Sequence, residues 1–308
     1  MYQPRTGAGD RRSGILLAAV TAAISGVAVF VNGYGVRAWG EIADPTAYTT
    51  LKNAVAAAVL VVAAAVGHRK AGIGLAPLRE HRLGLGVIAV VGGSVPFLLF
   101  FEGLARATSV DAAFIHKTLV VWVAVLAVTV LRERIGPLHV AAIGLLIGGQ
   151  AMLAGVGGIA FGPGEWMILG ATVLWAVETV VAKRVLGGVA PLSVGVARMV
   201  GGAVVLLVYC LVTGAFSGLG GATPMHLAWI LVTGLTLAGY VGTWFAALAR
   251  AQAVDVSAVL VGGALVTALL ESGIGGAVGP PVLGVALVAF GVALMVMRGL
   301  VPATTPVR

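Results

Sequence analysis

Ten apolar windows of about 17–24 residues recur along this chain, and that recurrence restricts the fold more than any other feature. In lipid every backbone N–H and C=O must find its partner within the segment or in a closed barrel, so windows of this length read as helices. The expected spans are 13–31, 46–66, 83–105, 112–131 and 137–155, then 165–186, 191–212, 225–249, 254–270 and 280–297. The ninth is the shortest. Only 10% of the 308 residues are charged, against about 25% in a soluble domain, so the bilayer is the solvent this fold must satisfy. The expected class is an all-α integral membrane protein with ten transmembrane helices.

The charges that remain are unevenly placed. Of nineteen Lys and Arg, fourteen fall in the termini and in loops on their side of the membrane, among them Arg11, Arg12, Arg69, Lys70, Lys183, Arg184, Arg250 and Arg298. Only Arg37 and Arg106 fall in the opposite loops, and Lys52, Lys117 and Arg198 lie within spans. This positive-inside bias places both termini in the cytoplasm and predicts residence in the cell (inner) membrane. The net charge of +8 is therefore topology, and no nucleic-acid partner is expected. Arg11-Arg12 ahead of an apolar run resembles a secretion signal, but similar spans follow throughout, so it reads as the basic flank of the first helix. The single cysteine, Cys210, and five scattered histidines give no disulfide or metal-ligand spacing, and no cofactor is expected.

The two halves repeat. Leu104–Asp111 (LARATSVD) matches Leu248–Asp255 (LARAQAVD) at six of eight positions, at an offset of 144. At an offset of 146, Pro45 and Lys52 fall on Pro191 and Arg198. Glu133 and Glu271 follow the corresponding helices. A unit of five spans returns the chain on the other side of the membrane, so the halves form two inverted five-helix repeats, 13–155 and 165–298, between tails 1–12 and 299–308. Secondary transporters share this architecture and bind substrate at the repeat interface near mid-bilayer.

A charge within a span costs about 2.5–3.5 kcal/mol on insertion scales, so each one present calls for a partner, a wet cavity or a role. At 1.5 Å rise per residue, Lys52, His116 and Lys117 lie about 8–10 Å from the helix ends remote from the termini, with Glu102 shallower. Glu178 and Arg198 share a deeper level. These depths predict that Glu102 neutralises Lys52 or Lys117 and that Glu178 pairs with Arg198. His116 and Lys117 are adjacent and project about 100° apart, so only one of them need face a cavity. Trp175, three residues before Glu178, is the expected aromatic wall, whereas Trp122 and Trp244 read as packing. Three cations against two carboxylates leave a net positive interior that suits an anionic group. Burial and low dielectric bring carboxylates toward neutral pH, where histidine also titrates, so Glu178, Glu102 or His116 could carry protons.

Two motifs admit two readings each. Gly92-Gly93-Ser94-Val95-Pro96 interrupts the third helix, either beside a binding site or as a packing kink. Gly144-x-x-x-Gly148 permits close helix approach, within the chain or across a homodimer seam. Gly92-x-Ser94 with His116 could imitate a serine-protease dyad, but nothing else in the sequence supports an enzyme.

Asp44-Pro45 with Lys52, Pro191 with Arg198, the paired Leu-Ala-Arg-Ala turns, and the helix ending Leu131-Arg132-Glu133-Arg134 together resemble the drug/metabolite transporter superfamily, specifically its EamA-type exporters. The resemblance covers about residues 13–298. It implies alternating access, efflux of amino acids or small drugs, and a cavity lined by helices 1, 3, 4, 6, 8 and 9. The chain departs from the pattern at Lys52, where arginine is usual, in a fourth helix without a mid-helix proline, and in a short ninth helix. The expected function is export of small metabolites such as amino acids, with protons as a coupling ion. Facilitative exchange of anionic metabolites is the alternative, and an intramembrane enzyme or a ligand sensor is remote.

Overall fold

Prolines open half of the spans in the computed structural model, which describes residues 8–71, 76–104, 106–155, 161–274 and 281–300. The ten spans are α1 (Gly9–Gly40), α2 (Pro45–Gly67), α3 (Arg82–Leu104), α4 (Asp111–Leu131), α5 (Pro137–Ala154), α6 (Pro163–Val185), α7 (Pro191–Thr213), α8 (Pro224–Arg250), α9 (Ala253–Gly273) and α10 (Val282–Leu300). Pro45, Pro137, Pro163, Pro191 and Pro224 each stand at a helix start, where the missing N–H costs nothing. Three of these starts are closed by a side chain reaching back. His139 Nδ1 accepts from Gly136 N–H at 3.0 Å, Glu165 from Gly162 at 2.9 Å and His226 Nδ1 from Thr223 at 3.0 Å.

Three spans are not continuous helices. In α3, a π-helical turn at Ile88–Gly92 leads into a break at Gly93-Ser94 before the helix resumes at Val95. α4 breaks at Thr118 although it has no proline there. The Thr118 N–H is shared between Phe114 and Ile115 carbonyls at 3.3 and 3.1 Å, while its hydroxyl donates to Ile115 O at 2.6 Å. α9 breaks at Val261-Gly262, and the 144-residue offset carries Thr118 onto Gly262.

Helix α9 also corrects an expectation. It spans 21 residues, as many as α4, because Ala253 begins it and Glu271–Gly273 continue it beyond the expected 254–270. Helix α1 outruns 13–31 in the same way. At 32 residues it is about 48 Å long, and its far end is fixed by Trp39 Nε1 donating to His226 O at 3.0 Å.

The packing follows the small residues. α1 lies along α8, α2 against α7 and α8, α3 against α6 and α7, and α5 against α10. In the last pair, Gly149 meets Val288 while Gly284 and Gly291 admit Leu153 and Leu146. Gly144 and Gly148 face away, with nothing within 4 Å of an added β-carbon, so this motif serves no packing among the described residues.

Candidate functional site

The α3 break lets two helices come unusually near. A β-carbon on Gly92 would run into the Glu178 carboxylate, and one on Gly93 into the Arg198 carbonyl and Gly202. The carbonyls freed by the break are taken up locally. Ser94 Oγ donates to Val90 O at 3.0 Å and Trp175 Nε1 to Gly92 O at 3.2 Å. The break is therefore a packing device, and it lies against the Glu178 carboxylate. Ser94 is fully buried, and among the described residues no hydrogen bond joins it to His116.

Beside that break, Arg198 Nε donates to Glu178 Oε1 at 2.5 Å, with both residues buried, as their depths predicted. Arg198 also stands over the Phe97 ring, 5.9 Å from its centre. Four rings from α3, α4 and α6 then form one cluster. Trp175 lies 5.4 Å from Phe97, 5.7 Å from Phe100 and 5.0 Å from His116, and Phe100 lies 5.5 Å from His116. The edge-to-face angles of 80°, 70° and 67° in three of these pairs suit the ring quadrupoles. The buried Nδ1 of His116 has no hydrogen-bond partner among the described residues. Tyr240, stacked on Trp244 at 6.2 Å and 8°, is within electrostatic range of Glu178 and Arg198 and adds α8 to the site. A separate apolar groove of about 500 Å³, lined by Leu99, Trp166, Leu169, Gly170, Val173 and Leu174, includes none of these groups.

The outer carboxylate differs from expectation. Glu102 pairs with Arg106, four residues on in the turn after α3, and both are about half exposed, so it neutralises neither Lys52 nor Lys117. Lys52 Nζ instead donates to Asn32 Oδ1 at 2.7 Å and lies 5.2 Å from the centre of the Tyr48 ring. Tyr48 reaches Thr233 at 3.0 Å, linking α2 to α8. Lys117 makes no hydrogen bond or ion pair among the described residues. Of the sequence candidates, Glu178, Arg198, Trp175 and His116 come together, with Lys117 next to them in the chain. Lys52 and Glu102 stand elsewhere. Phe97 and Phe100 were missed.

A second polar assembly occupies the end of the bundle where α1 begins and α10 ends. Asp255, fully buried in the first turn of α9, accepts from Arg11 at 3.2 Å and Arg298 at 3.0 Å and contacts His139 Nε2 at 3.1 Å. His139 Nδ1 already accepts from Gly136, so Nε2 carries the proton that faces Asp255. Glu133 accepts the Ala253 and Val254 N–H groups, at 2.8 and 3.3 Å, satisfying the α9 N-terminus. Arg132, in the left-handed region at φ 58°, turns the chain so that Glu133 points there. Burial raises the Glu133 pKa despite those two N–H groups and the nearby Lys183 ammonium. Lys183 donates to Leu248 and Ala251 carbonyls at 2.5 and 2.6 Å. Glu133 and His139 belong to the first repeat and Arg11 to the start of α1 that leads into it, whereas their partners in α9 belong to the second.

At the opposite end, the repeat-related Asp111 bonds only Thr108 among the described residues. Thr108 Oγ1 donates to its carboxylate at 2.8 Å and accepts its N–H at 3.1 Å. The entry to α4 is thus capped but not tied to the other repeat, while the entry to α9 is tied to it by Arg11, Glu133 and His139.

Ten apolar spans, a repeated half, and a buried ion pair with aromatic walls between the halves define a polytopic membrane carrier. The EamA-like transporter family model matches residues 12–155 and again 162–297, and the chain belongs to that family. It is an integral membrane transporter of small molecules. Among solved structures, one described as "Crystal structure of protein" is 19% identical and covers 93% of this chain and 99% of its own, with a TM-score of 0.75, and so shows the fold. No curated protein sequence matches.

Proposed function

We propose that this family member is a secondary active exporter of small metabolites, of the size of amino acids and related compounds, working by alternating access. The observation that carries the reading is the unequal closure of the two ends. Repeats related by inversion exchange roles as a carrier switches, so one end is latched while the related end is free. Here Asp255 is held by Arg11 and His139 across the repeats and by Arg298 within its own, and Asp111 has no such tie among the described residues.

The excess of basic residues in the loops at the latched end supports a cytoplasmic position for that end, in the cell (inner) membrane, with the free end outside. Export as the direction rests on resemblance to EamA-type exporters. Glu178 and His116 are the groups suited to couple transport to protons, because both are titratable and both stand at the cluster.

The test is counterflow in proteoliposomes with Glu178→Gln. Glutamine keeps an acceptor for Arg198, so the protein should reconstitute but lose exchange; undiminished flux would reject the reading. Loading the same vesicles and imposing a pH gradient tests coupling. A flux indifferent to the gradient would favour facilitative exchange.

A further inference from the structure

Among the described residues, Lys52 and Lys117 within the spans form no ion pair with a carboxylate. Glu178 is committed to Arg198, and Glu102 to Arg106. Lys52 has only the neutral Asn32 amide and the Tyr48 ring, and Lys117 bonds nothing among the described residues. The excess of positive charge is therefore two, not the one that the sequence suggested.

Lys117 is the better placed of the two. It ends the first segment of α4, directly before the Thr118 break, and follows His116, whose ring joins the aromatic cluster. Its side of the helix carries Ala113, Lys117, Val120 and Ala124, spaced by four, three and four residues. Ala113 is exposed, Val120 and Ala124 are buried where this helix packs on α6 and α9, and Lys117 is intermediate between them. Residue 117 thus stands where an open face becomes a closed one. Next to it in the chain is His116, whose ring meets Phe100 and Trp175 and whose Nδ1 has no partner among the described residues.

We infer that the transported compound is a monocarboxylate with an apolar or planar body and without an amino group. Lys117 supplies the counter-charge and His116 a hydrogen bond, while Phe97, Phe100 and Trp175 hold the body. A phosphate dianion is less suited, since one unpaired ammonium balances a single negative charge and Arg198 is occupied by Glu178. An α-amino acid would need a second carboxylate for its ammonium, and Glu178 is engaged. The inference rests on the cluster being the transport site.

The test uses full-length protein and compounds of matched shape: 3-phenylpropionate, its amide, phenylalanine, 3-phenylpropylamine and phenyl phosphate. Binding should favour 3-phenylpropionate at least tenfold over the amide and the amine. Lys117→Met should remove that preference, and Lys117→Arg should keep most of it. Because the substitution deletes an unpaired charge, ligand-free Lys117→Met should melt no lower than the parent, which separates lost recognition from lost folding. Equal binding of acid and amide, preference for phenylalanine, the amine or the phosphate, no binding by any compound, or an unaltered preference in Lys117→Met would each overturn the substrate class. Trp175→Ala gives the separate control. If it leaves the flux of a transported compound unchanged, the site assignment itself is wrong, whatever the charge preference.

Discussion

Glu178 lies against the bare Cα of Gly92, in a contact that no larger residue at 92 would allow. The carboxylate is pressed between the broken turn of α3 and the guanidinium of Arg198. Gly92→Ala should therefore displace it. Overpacking of a tight interior costs about 1–3 kcal/mol, so the variant should melt lower and lose counterflow together. Gly86→Ala, on the same span with nothing within 4 Å of the added carbon, is the matched control and should change neither.

Removing one partner of a buried ion pair costs more than removing both. Glu178→Ala strands the Arg198 charge and should destabilise the protein by about 3–5 kcal/mol. The double variant Glu178→Ala/Arg198→Met should recover most of that loss in a chemical or thermal melt, yet remain without transport. Recovery of transport along with stability would make the pair structural only.

The latch at Asp255 offers a test by accessibility. In a Cys210→Ser background, a cysteine replacing the buried Ser257 should resist a small polar thiol reagent. Adding Asp255→Asn weakens the Arg11 and Arg298 bonds and should make that cysteine reactive. Asp111→Asn, which disturbs only a helix cap, should leave it protected.

Glu133 sets a pH dependence. Its raised pKa means that the folded protein binds this proton more tightly than the unfolded chain does, so its contribution to stability falls as pH rises from the ordinary 4.5 to the raised value and is level above it. Melting temperatures taken across that window should decline for the parent and decline less for Glu133→Gln. An unchanged slope would mean that the group titrates normally.

Spans, repeats and the Glu178–Arg198 pair were legible in the sequence because hydropathy and residue spacing measure depth directly. Depth does not give neighbours. Depth alone matches Glu102 to cations on other helices, whereas its partner Arg106 stands four residues on, in the turn that follows α3. Phe97 and Phe100 sit in a run of apolar residues, where any ring could as well face lipid, so nothing singled them out. The Asp255 assembly draws on groups 244, 116 and 43 residues distant, beyond any local pattern, and only the helix-end roles of Glu133 and the repeated aspartate were visible beforehand. The break at Thr118 had no proline to announce it. A hydroxyl competing for a helical carbonyl produced it instead.

The breaks in α4 and α9 fall at the same register, Thr118 against Gly262. Bending compliance is therefore placed alike in both repeats, although one joint is built from a threonine hydroxyl and the other from glycine. Lys117 and His116, by contrast, have Val261 and Leu260 as their counterparts. The helix breaks thus come in duplicate and the His116-Lys117 pair in one copy. On the site proposed above, substitutions at 116 and 117 would retune what is carried while leaving the two breaks intact.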